Sequence, residues 1–421
     1  MSREMKHSGI PWIGEIPNDW NVNLLSSLFY EHKQKNVGLV ETNLLSLSYG
    51  KIVRKDINTK EGLLPESFDG YNIISNGDIV FRLTDLQNDK RSLRTGLCKE
   101  KGIITSAYVT VRGKQSLNSA YYHYLFHSYD LCKVFYGMGD GVRQGMNFGD
   151  LRKLLLLLPP LSEQQKIASF LDEKCSEIDE MVVLQEKIIE ELKAYKQSVI
   201  TEAVTKGFNP DVPMKDSEVD WIGEIPVHWQ TVKFKSLFNI KKIIAGKLGY
   251  DVLSVTQQGL KVKDLSKNEG QVAQDYSKYQ IVNIDDFVMN HMDLLTGYID
   301  CATMSGVTSP DYRTFVNRNH EIADNNFFLQ IFQKCYKDKT FYHLGQGVSF
   351  LGRWRLPKEQ LNAFVLPLPP LNEQKEIANY LNVKCTEIDS LISIKQSKIE
   401  SLKEYKKSII YEYVTGKKEV E

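Results

Sequence analysis

At 421 residues the chain has room for two or three domains, each with a core of its own. Its 42% hydrophobic and 25% charged residues are those of an ordinary soluble protein, and 53 basic residues against 53 acidic ones exclude a bulk-basic nucleic-acid coat. No run of about 18 apolar residues exists, which excludes a bilayer-spanning helix.

The opening "MSREMKHSGIPWIGEIP" lacks the charged-then-apolar order of a secretory signal. Six cysteines are scattered without a C-x-x-C pair, which speaks for reduced thiols in a cytoplasmic protein rather than a disulfide framework or zinc ribbon. The element "WIGEIPNDW" from Trp12 and the "SLF" from Ser27 come next. Trp12 and Trp20, like Trp221 and Trp229 later, are expected to be packing anchors rather than base-stacking platforms.

A first insert then reads as an α+β domain. Short β-like runs, "NIISNGDIVFRL" and "GIITSAYVTVR", precede a helix-like "LNSAYYHYLFHSYDLCKVFY". After the first β-run, "RLTDLQNDKRSLRTG" offers Arg82, Lys90, Arg91 and Arg94 as a positive loop. Near the end of the insert, "GMGDGVRQGMNFGDL" sets Arg143, Gln144 and Asn147 between glycines. Arginine can bond guanine bidentately, and Gln or Asn can do the same with adenine, so such loops suit DNA reading. His123 and His127 lie four apart on the predicted helix, but they lack a third ligand and are read as ordinary helix histidines.

At Leu158 begins "LPPLSEQQKIASFLDEKCSEID", and 210 residues later "LPPLNEQKEIANYLNVKCTEID" begins at Leu368. Between Pro159–Thr205 and Pro369–Thr415, 24 of 47 aligned positions are identical. Each copy follows Pro-Pro and offers a cap, Ser162 or Asn372, with Ser162 and Gln165 at capping-box spacing. Apolar residues follow at Leu171, Cys175, Ile178, Val182, Ile189, Leu192, Val199 and Ala203, with gaps at Gln185 and Lys196. The second copy keeps that register with Leu381, Cys385, Ile388, Ile392, Ile399, Leu402, Ile409 and Tyr413, and with Lys395 and Lys406 in the gaps. A sustained 3.5-residue repeat is a coiled-coil seam. Some 43 residues at about 1.5 Å each make a rod of roughly 64 Å. The expected partner of each helix is its own copy, in antiparallel orientation, because that relates the halves by a pseudo-twofold axis with one insert at each end.

Between the two blocks, "NPDVPMK" reads as a Pro-rich linker, and "WIGEIPVHW" from Trp221 repeats the first element. The second insert follows the order of the first, with "YQIVNIDDFVMNHM", "SGVTSPDYRTFVN" and "NNFFLQIFQKCYK". It ends in "GQGVSFLGRWRLPKEQL", where Gln346, Arg353, Trp354 and Arg355 are the candidate contacts. Each half is thus a fixed frame around a divergent insert, which implies two jobs of one kind on two different targets. Catalytic motifs are missing: there is no G-x-x-x-x-G-K-[ST] phosphate loop and no Asn/Asp-Pro-Pro-Tyr/Phe tetrapeptide.

Two "LPPL-[SN]-EQ" helix starts, each preceded by a variable domain that opens near "WIGEIP…W", resemble the specificity subunit of type I restriction-modification enzymes. The likeness spans essentially the whole chain. It implies an α+β fold with two α/β target-recognition domains, residues 1–158 and 207–368. Two conserved spacer helices, 159–206 and 369–421, would separate them and pair as an antiparallel coiled coil. Each domain would read one half of a bipartite, asymmetric site in double-stranded DNA. The chain itself would be non-catalytic and hold no cofactor. It would recruit two methyltransferase subunits, which use S-adenosylmethionine, and through them restriction and translocase subunits that need ATP and Mg. The final loops of the two inserts differ, so base contacts do not transfer from one half to the other. A coiled-coil adaptor whose inserts bind proteins is the rival of another class, with the neutral net charge in its favour. A self-sufficient methyltransferase or nuclease lacks its motifs.

Overall fold

The computed structural model describes residues 3–58, 67–86, 93–114, 116–138, 145–264, 275–347 and 354–420. They form two compact units, Met1–Glu186 with Gln396–Glu421, and Lys187–Lys395. The division runs through both long helices, Leu161–Lys206 and Leu371–Val414.

In the first unit an antiparallel sheet runs in the order Phe29–Glu31, Val109–Gly113, Ile79–Phe81, Thr95–Leu97. The helix Ser119–Leu131 buries Tyr121, Tyr122, Leu125, Phe126 and Tyr129, and Asn118 caps it by accepting from Tyr121 N at 2.9 Å. The second unit repeats that order with Phe238–Lys241, Arg313–Asn317, Phe287–Met289 and Ile299–Cys301. Its helix Asn325–Lys337 is capped by Asp324. Both inserts are thus the expected α+β domains, built alike on dissimilar sequences. Each is closed by a strand pair from its ends, Asn21–Leu24 with Leu155–Leu158 and Gln230–Lys233 with Val365–Leu368.

The repeated words are structural joints. Trp20 and Trp229 are fully buried, and their indole N–H groups donate to Glu163 at 2.8 Å and Glu373 at 3.0 Å, the glutamates of the two "LPPLxEQ" blocks. The neighbouring Gln164 donates to Pro159 O at 2.9 Å and accepts from Asn118 N at 3.1 Å. Gln374 does the same with Pro369 O and Asp324 N, both at 2.8 Å. Glutamate therefore ties the helix start to the N-terminal element, and glutamine ties it to the cap of the head helix. Ser162 and Asn372 are not N-caps: the helices begin at Leu161 and Leu371, and these residues sit in the first turn.

Within the first unit, Leu171, Cys175 and Ile178 are buried with Ile409, Ile410 and Val414, and Val182 and Leu402 pack partly buried beside them. Phe170 meets Tyr413 at 4.4 Å, and Lys406 donates to Asp179 at 2.6 Å. Rising numbers on one helix meet falling numbers on the other, so the pairing is antiparallel. Within the second unit, Val199, Ile200, Ala203 and Val204 share a core with Ile377, Ala378 and Leu381. There Lys196 reaches Asp389 at 2.6 Å. Lys196 and Lys406 are copies of each other in the repeat, as are Asp179 and Asp389, so the two units make the same ion pair from opposite partners. Of the remaining seam positions Ile189, Ile388 and Ile399 are buried, while Leu192 and Ile392 are half-buried. Charged gaps that pair in only one direction add orientation to an apolar stripe that is itself indifferent to it.

Candidate nucleic-acid interface

In the first head the strand Ile79–Phe81 leaves the sheet into Arg82-Leu83-Thr84-Asp85 and the chain returns through Leu93-Arg94. Arg82 N donates to Arg94 O at 2.8 Å, closing the stem of this loop. The segment before the short helix Phe148–Leu151 docks on the same loop, with Met146 N donating to Leu83 O at 2.9 Å. The described ends of the two candidate loops of this head therefore meet, which spacing in the sequence did not reveal.

Arg94 is not on the surface of that cluster. It is 0% exposed, and its guanidinium donates to Thr84 O at 2.9 Å and Asp85 O at 3.3 Å beneath the Tyr136 ring. Its backbone N–H donates to the Asp130 carboxylate. Arg94 is thus an internal clamp joining the outgoing and returning arms of the loop, where the sequence suggested an exposed reader. The burial comes from acceptors nine and ten residues upstream, which composition does not show. Asn147 is exposed but committed to a capping box, accepting from Gly149 N at 2.6 Å. Arg82 is half-buried. Lys90, Arg91, Arg143 and Gln144 lie outside the described residues. We expect Arg94→Met to destabilise the first head by about 2 kcal/mol, the scale of lost hydrogen bonds to a charged group. That corresponds to roughly 4–8 °C in a thermal melt. An unchanged melt combined with lost DNA binding would make Arg94 a reader after all.

The second head repeats the convergence. Asn290 N donates to Tyr298 O at 3.0 Å and Leu356 N to His291 O at 2.9 Å, so Tyr298 takes the place of Arg94 and His291 that of Leu83. Leu294 N donates to Trp354 O at 3.2 Å, and Gln346 and Arg355 exchange backbone hydrogen bonds at 2.9 and 3.0 Å. Gln346 and Arg355 are exposed, and Trp354 is half-buried with its ring 4.8 Å from Tyr342. Arg353 lies outside the described residues. Beneath this junction sit two residues that no sequence pattern singled out, Arg313 and His291, 7% and 5% exposed. Burial, helped by the Arg355 cation, brings the Arg313 guanidinium down to about 10. Burial and then the Arg313 cation hold the His291 imidazole down near about 3.

A third segment joins each cluster. The hairpin of Leu45–Ser48 with Lys51–Arg54 turns through Tyr49-Gly50, both with positive φ (46° and 79°), and leaves Tyr49 80% exposed. A Cβ on Gly50 would come within 2.9 Å of Leu93, so the tip rests on the loop stem. In the second head the hairpin Val252–Thr256 with Gly259–Val262 has Gln257 Nε2 donating to Thr296 O at 3.4 Å. Glycine ending the two-residue Tyr49-Gly50 turn was a readable signal for the first hairpin, whereas in the second the turn is Gln257-Gln258 and Gly259 already pairs with Thr256.

The head histidines fit no metal site. Burial pushes His123 to about 3 and His127 to about 4, and among the described residues no group of three His, Cys, Asp or Glu could hold an ion. Among those residues, no helix is long and apolar enough to cross a membrane.

The model of the type I restriction modification DNA specificity domain matches residues 66–194 and 226–404, once per head with most of the following long helix. The chain belongs to this family. Among curated specificity subunits, the putative type I restriction enzyme MjaX subunit of Methanocaldococcus jannaschii is 27% identical, over 97% of this chain and 96% of its own. The MjaVIII specificity subunit of the same organism is 25% identical over 96% and 94%. The fold is also that of solved members. A chain from a structural study of complex assembly and conformational transition of the type I R-M system superposes with a TM-score of 0.70 at 13% identity, covering 95% of this chain and 99% of that one. The HsdS subunit from Thermoanaerobacter tengcongensis gives 0.54 at 13% identity, covering 95% and 98%.

Proposed function

We propose that this chain is the DNA-reading specificity subunit of a type I restriction-modification enzyme. The observation that carries this is the family match over both heads, whose described loop segments converge through the same backbone hydrogen bonds while most of their candidate side chains differ. Each head reads one half of a bipartite, asymmetric site in double-stranded DNA. The chain performs no chemistry itself. In the cytoplasm it recruits two methyltransferase subunits, which bring S-adenosylmethionine, and through them restriction and translocase subunits working with ATP and Mg.

Specificity arithmetic favours two heads over one. Each wrong base pair costs about 1–3 kcal/mol, so a half-site of a few pairs does not exclude a genome of competitors, whereas two linked half-sites multiply their discrimination. The test is methylated-site mapping in a host carrying this chain with its methyltransferase partner. Replacing residues 21–158 with the first head of another family member should change one half of the methylated sequence and leave the other half as it was. A change in both halves, or in neither, would overturn the assignment of one half-site to each head.

A further inference from the structure

The loop junction of the second head holds a group of hydrogen-bond donors that the chain does not satisfy. Arg313 begins its strand opposite Met289, two residues before His291. Among the described residues its guanidinium makes one hydrogen bond, from Nη1 to Leu356 O at 3.0 Å, and no ion pair. Arg355, adjacent to Leu356, is exposed, and its charge is felt at both Arg313 and His291. Trp354 Nε1 and His291 Nδ1 are buried without a hydrogen-bond partner. Consecutive residues 354–356 tie these groups together, since Leu356 is bonded to both His291 and Arg313 through its backbone.

The first head shows how such a junction looks when it is complete. Its buried guanidinium, Arg94, is satisfied by two carbonyls and faces an aromatic ring. In the second head that place belongs to Tyr298, and the guanidinium arrives from a different strand beside a second cation. A buried guanidinium with one backbone acceptor, beside a second cation, is unfavourable unless an anion joins them.

We propose that Arg313, Arg355 and the Trp354 indole N–H bind one backbone phosphate of double-stranded DNA, with His291 closing the pocket floor. The inference rests on the DNA-reading role proposed above. A base edge is a poorer occupant. Reading guanine takes a guanidinium fork projecting into the major groove, and Arg313 is recessed with one Nη already held by Leu356 O. A phosphate presents several acceptor oxygens on a protruding ridge and suits convergent, fixed donors. Such a contact sets the register of the head on the duplex and leaves sequence to the neighbouring side chains.

The test uses the chain assembled with its methyltransferase partner and titrates cognate DNA across a salt series. Arg355→Gln changes an exposed residue, and Trp354→Phe removes the N–H while keeping a ring. Each should weaken binding by about 5–20-fold. Arg355→Gln should flatten the log–log salt dependence by about 0.9, the value of one phosphate, with the methylated sequence unchanged. A neutral methylphosphonate linkage moved through the second half-site should weaken the wild type at one position and leave Arg355→Gln unaffected there. Wild-type affinity and slope in both variants would overturn the pocket. So would relaxed preference at one base pair with an unchanged slope, which would make these residues base readers. A wild-type complex that does not bind DNA would instead defeat the functional proposal itself.

Discussion

Inserting seven residues after Gln185 together with seven after Ile399 should lengthen the gap between the two methylated half-sites by about three base pairs, or abolish methylation altogether. In both units the paired helices run antiparallel, with Asp179 opposite Lys406 and Asp389 opposite Lys196. The midpoint between these pairs falls near residues 188 and 398, a few residues from the insertion points. Seven residues in each helix keep the 3.5-residue seam in register, whereas four residues in one helix alone would expose its apolar stripe on one side of the insertion. The added rise is roughly 10.5 Å, against about 3.4 Å per base pair. Three further pairs also rotate one half-site by about a quarter turn or more, which is why loss of methylation is the alternative outcome. Methylated-site mapping reads both. An unchanged gap with undiminished methylation would show that the helices do not set the spacing.

Trp229→Ala should lower the first thermal transition of the chain by roughly 6–20 °C. Truncating a fully buried tryptophan costs about 3–5 kcal/mol, and in a unit of this size each kcal/mol is worth about 2–4 °C. Trp229 sits where three frame elements meet. It belongs to the "WIGEIPVHW" element, and its indole N–H bonds Glu373 at the start of one long helix. Its ring lies against Gly207 at the end of the other, where φ is +73° and a Cβ would come within 3.3 Å of the indole. Removing it opens a cavity and strands part of the Glu373 carboxylate, to which His228 still bonds at 2.9 Å. Trp229→Phe keeps most of the volume and loses the N–H, so it should fall about a third as far. A melt of the alanine variant within two degrees of the wild type would show that this joint does not hold the unit together.

Trp20 makes the same joint in the first unit with Glu163 and Gly416, which explains why the sequence repeats "WIGEIPxxW" and "LPPLxEQ" together. The repetition was legible, but its cause was not. A tryptophan in one segment and a glutamate some 140 residues away give no local sign that they touch. The capping box suggested by Ser162 and Gln165 does not form, because the helix already starts at Leu161: Glu163 N and Gln164 N donate to Pro160 O, and the Gln164 side chain joins Pro159 O to the distant Asn118 N. For the candidate interface, glycines and arginines pointed to the loops, but among the described residues Arg94 is buried while Asn147, Gln346 and Arg355 are exposed.

The sequence by itself determined the duplicated frame, the α+β character of both heads, the two long helices with their seam and the loops that vary between halves. All of these are written in local period and in self-similarity. Only the tertiary structure decided which residues meet along the antiparallel helices of each unit, that Arg94 is an internal clamp, and that Arg313 and His291 lie under the second junction. Those outcomes depend on which carbonyls, carboxylates and rings come within reach once distant strands are paired. A side chain's burial and its partners follow from that pairing and from no property of the residue alone.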